Sequence, residues 1–245
     1  MVICRMELFR KQNNYVLVVV TPSSPRTFIE TPFGKNYYSS DYLRNLGCQF
    51  DFVFDNKRGL SEVYNEKLRE YPEHRVIFVH DDVEIHDNMF LEKLDTAFLS
   101  YDVVGLAGGK MADFSRFDVK KQTLMWHLMS PQNELSGFVS HYFGNNQWNS
   151  SFFGMSPQRV VMIDGLFMAV DSKKCLINNV FFDEDFNFHY YDLAFSLRAN
   201  AKNLKIGTYP IFVVHHGLGY VDNMNEFLLL QEKFYQKYSP KNQYD

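Results

Sequence analysis

The 245-residue chain holds only three cysteines, Cys4, Cys48 and Cys175, widely spaced and without a CxxC pair. That pattern excludes a disulfide framework and a cysteine-held zinc ion, and it fits a reducing compartment. Long apolar runs are missing too. The longest, Tyr15–Val20, is far short of the roughly 20 residues of a membrane span, and charged residues interrupt the first twenty positions, so no secretion signal is visible. A basic excess is also absent. With a formal net charge of −4 and a sequence pI near 6.1, nothing global draws the chain to nucleic acid or an anionic membrane as its main partner. Internal repeats and low-complexity linkers are lacking.

What is present suffices for one large domain spanning residues 1–245, because 46% of the residues are hydrophobic. "YVLVVVT" at 15–21 is a continuous β-branched run closed by "PSSP", the pattern of a strand buried on both faces. "QFDFVFD" at 49–55 alternates as a second strand, and 59–71 carries Leu60, Val63, Tyr64 and Leu68 on a helical stripe. A third strand at 75–82, a helix at 88–100 and a fourth strand at 102–109 follow. Strand and helix in alternation predict a doubly wound α/β sheet. Residues 110–157 are less regular and include Trp126 and Trp148. This stretch reads as an insertion of short strands and mobile loops forming a lid or acceptor surface. Beyond it, the pattern predicts a strand at 160–170, a helical turn at 172–176 and a helix at 189–203. A strand at 211–220 and an Asp-capped helix at 222–238 complete the expected set.

The most informative stretch is "IFVHDDVEIHD", residues 77–87, which places Asp81, Asp82 and Glu84 where an apolar strand ends. Open α/β sheets bind ligands beyond the carboxyl ends of their strands. Crowded carboxylates repel one another, and a divalent cation with oxygen ligands relieves that repulsion. If the strand continues, alternation turns Asp82 and Glu84 one way and Asp81 the other. The competing reading is an acidic loop in which Asp87 caps the next helix.

Other positions carry related chemistry. Asp55 and Asn56 end the second strand, where they suit either a ribose or base contact or ordinary turn chemistry. Asp192, expected a full turn inside its helix, is placed to act as a partly buried base. Asp164 precedes Gly165, where backbone can approach a ligand closely; a solvent-facing acid at a strand bulge is the alternative. Asn65 faces the same sheet edge or simply the helix surface. His215 and His216 end a strand, and imidazole is a common metal ligand. Trp126 and Trp148 suit stacking on a sugar or base as well as a core or lid anchor.

Five segments in order, "FDNKRGLSEVYN" (54–65), "VHDDVEI" (79–85), "IDGLFMAV" (163–170), "FHYYDLAFSLRA" (188–199) and "VVHHGLG" (213–219), resemble the GT-A glycosyltransferases, in particular the bacterial family-2-like group. The resemblance implies a GT-A-like doubly wound mixed sheet and a transferase that moves a sugar from a nucleotide-sugar donor to a glycan or lipid-linked glycan acceptor. It also implies inversion and a role in surface polysaccharide or lipid-linked glycan synthesis. A DxD-like element would hold a divalent metal, Mn2+ or Mg2+, against the donor diphosphate. Here that element reads His80, Asp81, Asp82, which departs from strict DxD and assigns Asp82 to the metal and Asp81 to ribose. The family's "ED" pair is "YD" here, leaving Asp192 as the matching base. The "HxLG" pattern favours His216 over His215 as the second metal ligand. Asp55, Asn65 and Asp164 fall to the nucleotide sugar. The implied setting is the cytoplasm, at the inner face of a membrane where the acceptor is lipid-linked, with the C-terminal aromatic and basic helix as a peripheral contact.

Two other classes compete. A nucleotidyltransferase also uses carboxylate-bound metal on an α/β sheet, but "TPSSPRTF" after the first strand lacks its glycine-rich phosphate loop. A catalytically inactive carbohydrate-binding protein would keep the fold, yet the chain retains acids at 82 and 192 and a histidine at 216.

Overall fold

The computed structural model describes residues 14–116, 125–217 and 223–240. Strand β1 (Tyr15–Val20) is buried at every position, as a β-branched run covered on both faces must be. It pairs in parallel with β2 (Gln49–Val53) and β3 (Arg75–Val79). Between β1 and β2 lie α1 (Pro32–Ser39), capped by the Thr31 side chain on Gly34 N–H, and the short α2 (Asp41–Arg44). Helix α3 (Leu60–Glu70) returns the chain from β2 to β3 and buries Leu60, Val63, Tyr64 and Leu68, the stripe its sequence spacing predicts.

After β3 the chain turns rather than continuing. His80, Asp81 and Asp82 form this turn, with Val83 N–H donating to His80 O, before β4 (Val83–Ile85) begins. The expected strand through residue 82 therefore stops at Val79, and simple alternation does not govern its acids. Helix α4 (Phe90–Ala97) follows, preceded by Asp87, which accepts the Met89 and Phe212 backbone N–H groups and pairs with Lys93.

Where one strand was expected at 102–109 there are two, β5 (Val103–Gly105) and β6 (Ala107–Gly109), and they belong to different sheets. Gly137, at φ +109°, lets β7 (Leu135–Tyr142) press against this crossover; a Cβ there would meet Leu106 O at 2.0 Å. Strand β8 (Trp148–Gly154) pairs antiparallel with β7, so the 110–157 region contains a long hairpin among its irregular segments. The expected strand at 160–170 is likewise divided among β9 (Gln158–Val160), β10 (Met162–Ile163) and β11 (Phe167–Asp171). Asp164 and Gly165 fall in the gap before β11, where the backbone leaves one sheet for the other.

The remaining elements are α5 (Ser172–Ile177), α6 (Tyr191–Ala201), β12 (Ile206–Thr208), β13 (Val213–His215) and α7 (Met224–Tyr238). The cap of α7 is Asn223, whose side chain accepts Glu226 N–H; Asp222, the residue expected there, lies outside the described residues, as does the tail of the strand expected through 220. Among the described residues the larger sheet runs β2-β1-β3-β11-β5-β12-β9 and the smaller runs β10-β6-β7-β13-β4, with β8 on β7. The architecture is α/β with mixed sheets, but the chain builds two sheets where its sequence suggests one. Their strand ends converge on the turn at 80–82. No helix among the described residues is long and apolar enough to cross a membrane.

Candidate active site

Four segments meet at this convergence: the 80–82 turn, the 164–165 gap, the start of α6 and the end of β13. Asp82 Oδ2 lies 3.2 Å from His215 Nε2. Burial works to raise the Asp82 carboxyl, but hydrogen bonding and charge from His215 outweigh it and hold the group below its ordinary value. Burial also works to lower His215, and Asp82 in turn holds that imidazole above its usual value. The other oxygen, Asp82 Oδ1, is buried with no hydrogen-bond partner. Such an orphan is costly and is relieved by a cation or a donor.

The sequence pattern favours His216 for the position beside Asp82, but the structure sets His215 there. Adjacent residues of an extended segment point to opposite sides. The His216 ring faces Glu84 Oε1 at 3.2 Å and packs against Tyr142, while its backbone N–H donates to Asp82 O. Among the described residues no group of three or more His, Cys, Asp and Glu side chains is arranged to hold an ion alone. Asp82 and His215 supply one oxygen and one nitrogen donor, a pair that suits Mn2+ better than the oxygen-preferring Mg2+ and that needs further oxygen ligands to complete a shell.

Asp81 accepts from the Thr21 hydroxyl and is raised by burial, which that hydrogen bond opposes. With His80 and Asp82 it lines a cavity of about 340 Å³ that reaches Asn56, Lys57 and Arg58 at the opposite wall. Asp55 itself is exposed, in a left-handed turn at φ 50°, with its backbone N–H on Ser23 O. It does not line this cavity, although its three successors do.

Asn65, expected at the nucleotide sugar, is turned into the fold. Its side chain is buried, with Nδ2 donating to Phe182 O and Glu184 Oε1 and Oδ1 accepting Phe182 N–H. The amide ties α3 to the segment before α6, and the buried side chain does not line the cavity at 56–58.

Asp192 is the second residue of α6, not a full turn inside it, because Tyr190 stands before the helix in a left-handed conformation at φ 65°. Its Oδ2 accepts Gly165 N–H at 2.9 Å and its Oδ1 accepts Leu193 N–H at 2.9 Å. Burial, and then the nearby charge of Asp164, push its carboxyl up to about 7, in the range where a general base operates. Asp164 accepts Trp126 Nε1–H at 2.7 Å and Leu166 N–H at 3.1 Å. Trp126 is therefore buried and anchors the irregular region onto the site, whereas Trp148 is 61% exposed on the hairpin.

Gly165 marks the closest approach. A Cβ there would lie 2.2 Å from the Tyr191 hydroxyl and 3.0 Å from Asp192 Cβ. The Tyr191 hydroxyl donates to Gly165 O at 2.8 Å and meets His80 Nε2 at 2.7 Å. Since a carbonyl only accepts, the hydroxyl proton goes to Gly165 and His80 Nε2–H is the second donor. The "YD" departure from "ED" thus replaces an acid with a hydroxyl that bridges His80 and the Gly165 backbone. Sequence reading could name His80 and Tyr191 but had no signal for their contact, which spans 111 positions.

This arrangement, mixed sheets with acids and imidazoles gathered at their converging ends, defines a GT-A nucleotide-sugar-transferase fold. The chain matches the family model described as "Glycosyltransferase like family" over residues 37–237 and belongs to that family. Among solved structures it is similar to GalNAc-T7 crystallised with UDP, GalNAc and Mn2+, at 8% identity and TM-score 0.50, covering 91% of this chain and 48% of that one. The mannosyltransferase PcManGT of Pyrobaculum calidifontis with GDP-Man and Mn2+ gives 12% identity and TM-score 0.48, covering 86% and 59%. Residues 1–349 of S. aureus TarS give 14% and 0.45, covering 93% and 73%. The chain thus spans about half the length of the GalNAc-T7 chain and under two thirds of the PcManGT chain. No curated protein matches the chain in sequence.

Proposed function

We propose that the chain transfers a sugar from a nucleotide-sugar donor to a hydroxyl of a glycan or lipid-linked glycan acceptor, with inversion at the anomeric carbon. The observation that carries this reading is the buried, unpartnered Asp82 Oδ1 beside His215, set near a second carboxyl raised to about 7. Asp82 and His215 would hold a divalent cation, Mn2+ or Mg2+, which when bound offsets the negative charge growing on the departing diphosphate. GalNAc-T7, which shares the fold, was crystallised with UDP and Mn2+, and this supports a nucleotide-linked donor and such an ion.

The donor nucleoside would occupy the cavity walled by Asn56, Lys57 and Arg58, with Asp81 toward the ribose and Asp55 at the rim. Asp192 would take the proton from the acceptor hydroxyl as its oxygen attacks the anomeric carbon and the bond to the diphosphate breaks. Its position is fixed by Gly165 N–H and Leu193 N–H, so little reorganisation is required. Asp164, held by Trp126 Nε1–H, would orient the sugar between the two carboxyls. Residues 110–157 serve as the acceptor region of a single catalytic domain, in a cytoplasmic setting at the membrane face.

The test is product analysis. Wild-type protein with Mn2+ and UDP-, GDP-, CMP- or dTDP-sugars should release nucleotide from one donor class, and Asp82→Ala should stop that release. Release that is equal in both proteins, or absent from every donor, counts against the reading.

A further inference from the structure

His141 on β7 and His215 on β13 are register partners of parallel strands. Their Nδ1 atoms lie 3.3 Å apart and their ring planes meet at 66°. At that distance one proton lies between the two nitrogens, donated by one ring and accepted by the other. The His141 ring is itself fixed, stacked on Phe143 with planes 13° apart. On the far side of His215, Gly217 closes in, where a Cβ would come within 2.5 Å of Nε2.

Resting on the reading that His215 holds a cation with Asp82, we propose that His141 is the positioning residue for that ligand. A ring that coordinates through Nε2 offers a lone pair there, so the proton of neutral His215 sits on Nδ1. His141 Nδ1 accepts it, and the His141 proton lies on Nε2. Ligating histidines almost always donate their second N–H to a carboxylate, a backbone carbonyl or water, which fixes tautomer and orientation. Here a neutral imidazole from the hairpin fills that role. The consequence is specific to this chain: the β7–β8 hairpin, within the region read as the acceptor surface, also sets the aim of the metal ligand.

The experiment is titration with Mn2+ in the presence of UDP, GDP or dTDP, whose phosphates complete the shell, with protein-held Mn2+ separated from free and nucleotide-held ion by equilibrium dialysis and counted by electron paramagnetic resonance. It compares wild type with Asp82→Ala, His215→Ala, His141→Phe and His141→Gln. Phenylalanine preserves the packing on Phe143 and accepts nothing, whereas glutamine offers an amide oxygen. The expected result is a weakening of about 10–100-fold in His141→Phe, with most of the affinity kept in His141→Gln. Wild-type affinity in His141→Phe, with binding lost in His215→Ala, overturns the proposal. Equal losses in the Phe and Gln variants also overturn it, by tracing the effect to shape rather than to the accepted proton. Wild-type binding no tighter than that of Asp82→Ala and His215→Ala removes the metal reading itself and the role of His141 with it.

Discussion

Asp82 faces His215 and not His216: the Asp82 carboxylate meets His215 Nε2 at 3.2 Å, while the next ring along the chain turns to Glu84. Two histidines adjacent in sequence therefore sit in different surroundings. Replacing each with alanine separates them. His215→Ala is expected to lower kcat/KM by at least about a hundredfold, as the loss of charge stabilisation at a leaving group does. His216→Ala should lose far less. Steady-state kinetics on the donor identified by product analysis measures both, and equal losses would contradict the assignment.

Asp192 gives a pH dependence with a defined sign. A base must be deprotonated to accept the acceptor's proton, and this carboxyl is pushed up to about 7 by burial and by Asp164. Activity should therefore be full above pH 7 and fall about tenfold per unit below it. Asp192→Asn should lower kcat by about 10²–10⁴-fold and abolish that limb. A profile that is flat from pH 5 to 8 in wild type would contradict the role of Asp192 as base.

Gly165 tests the contact between the 164–165 gap and α6. In Gly165→Ala the new methyl group would meet the Tyr191 hydroxyl at 2.2 Å and Asp192 Cβ at 3.0 Å, pushing the helix start away from the site. The expected loss is chiefly in kcat, through displacement of Asp192, with a smaller effect on donor affinity passed through the Tyr191–His80 contact to the cavity that His80 lines. Adding Tyr191→Phe removes the nearest clashing atom and should restore part of the activity. A Gly165→Ala enzyme of normal kcat would show that the helix start can give way freely.

Asn65 yields a stability prediction. Asn65→Ala strands the buried Phe182 N–H and C=O, a cost of about 3 kcal/mol, readable in urea unfolding. KM for the donor should not change. A donor-binding defect without destabilisation would reinstate Asn65 as a ligand contact.

How much of this was legible beforehand follows from the range of each interaction. The buried run at 15–20, the stripe of α3 and the acids after β3 are local patterns, and periodicity reads them directly. Division of the sheet at Leu106 was not legible, because the apolar run continues through it; at Asp164 and Gly165 the run is interrupted, which suits a bulge as well as a change of sheet, and only the pairing of β6 with β7 and β10 reveals the division. The choice between His215 and His216 depends on which face of β13 looks toward the 80–82 turn, a tertiary fact. Asn65 shows the same limit: a polar residue on a helix facing a sheet edge reads as a ligand contact until its partner, 117 positions away, is seen. His141 lies in the stretch 110–157, read only as short strands and loops, with nothing to mark the neighbour that β13 would bring.

The most direct measurement is isothermal titration of the wild-type protein and Asp82→Ala with UDP-, GDP-, CMP- and dTDP-sugars, each with and without Mn2+. The account predicts binding of one nucleotide class that requires Mn2+ and disappears in Asp82→Ala. Binding of no nucleotide under either condition, or binding indifferent to both the ion and the substitution, would contradict it.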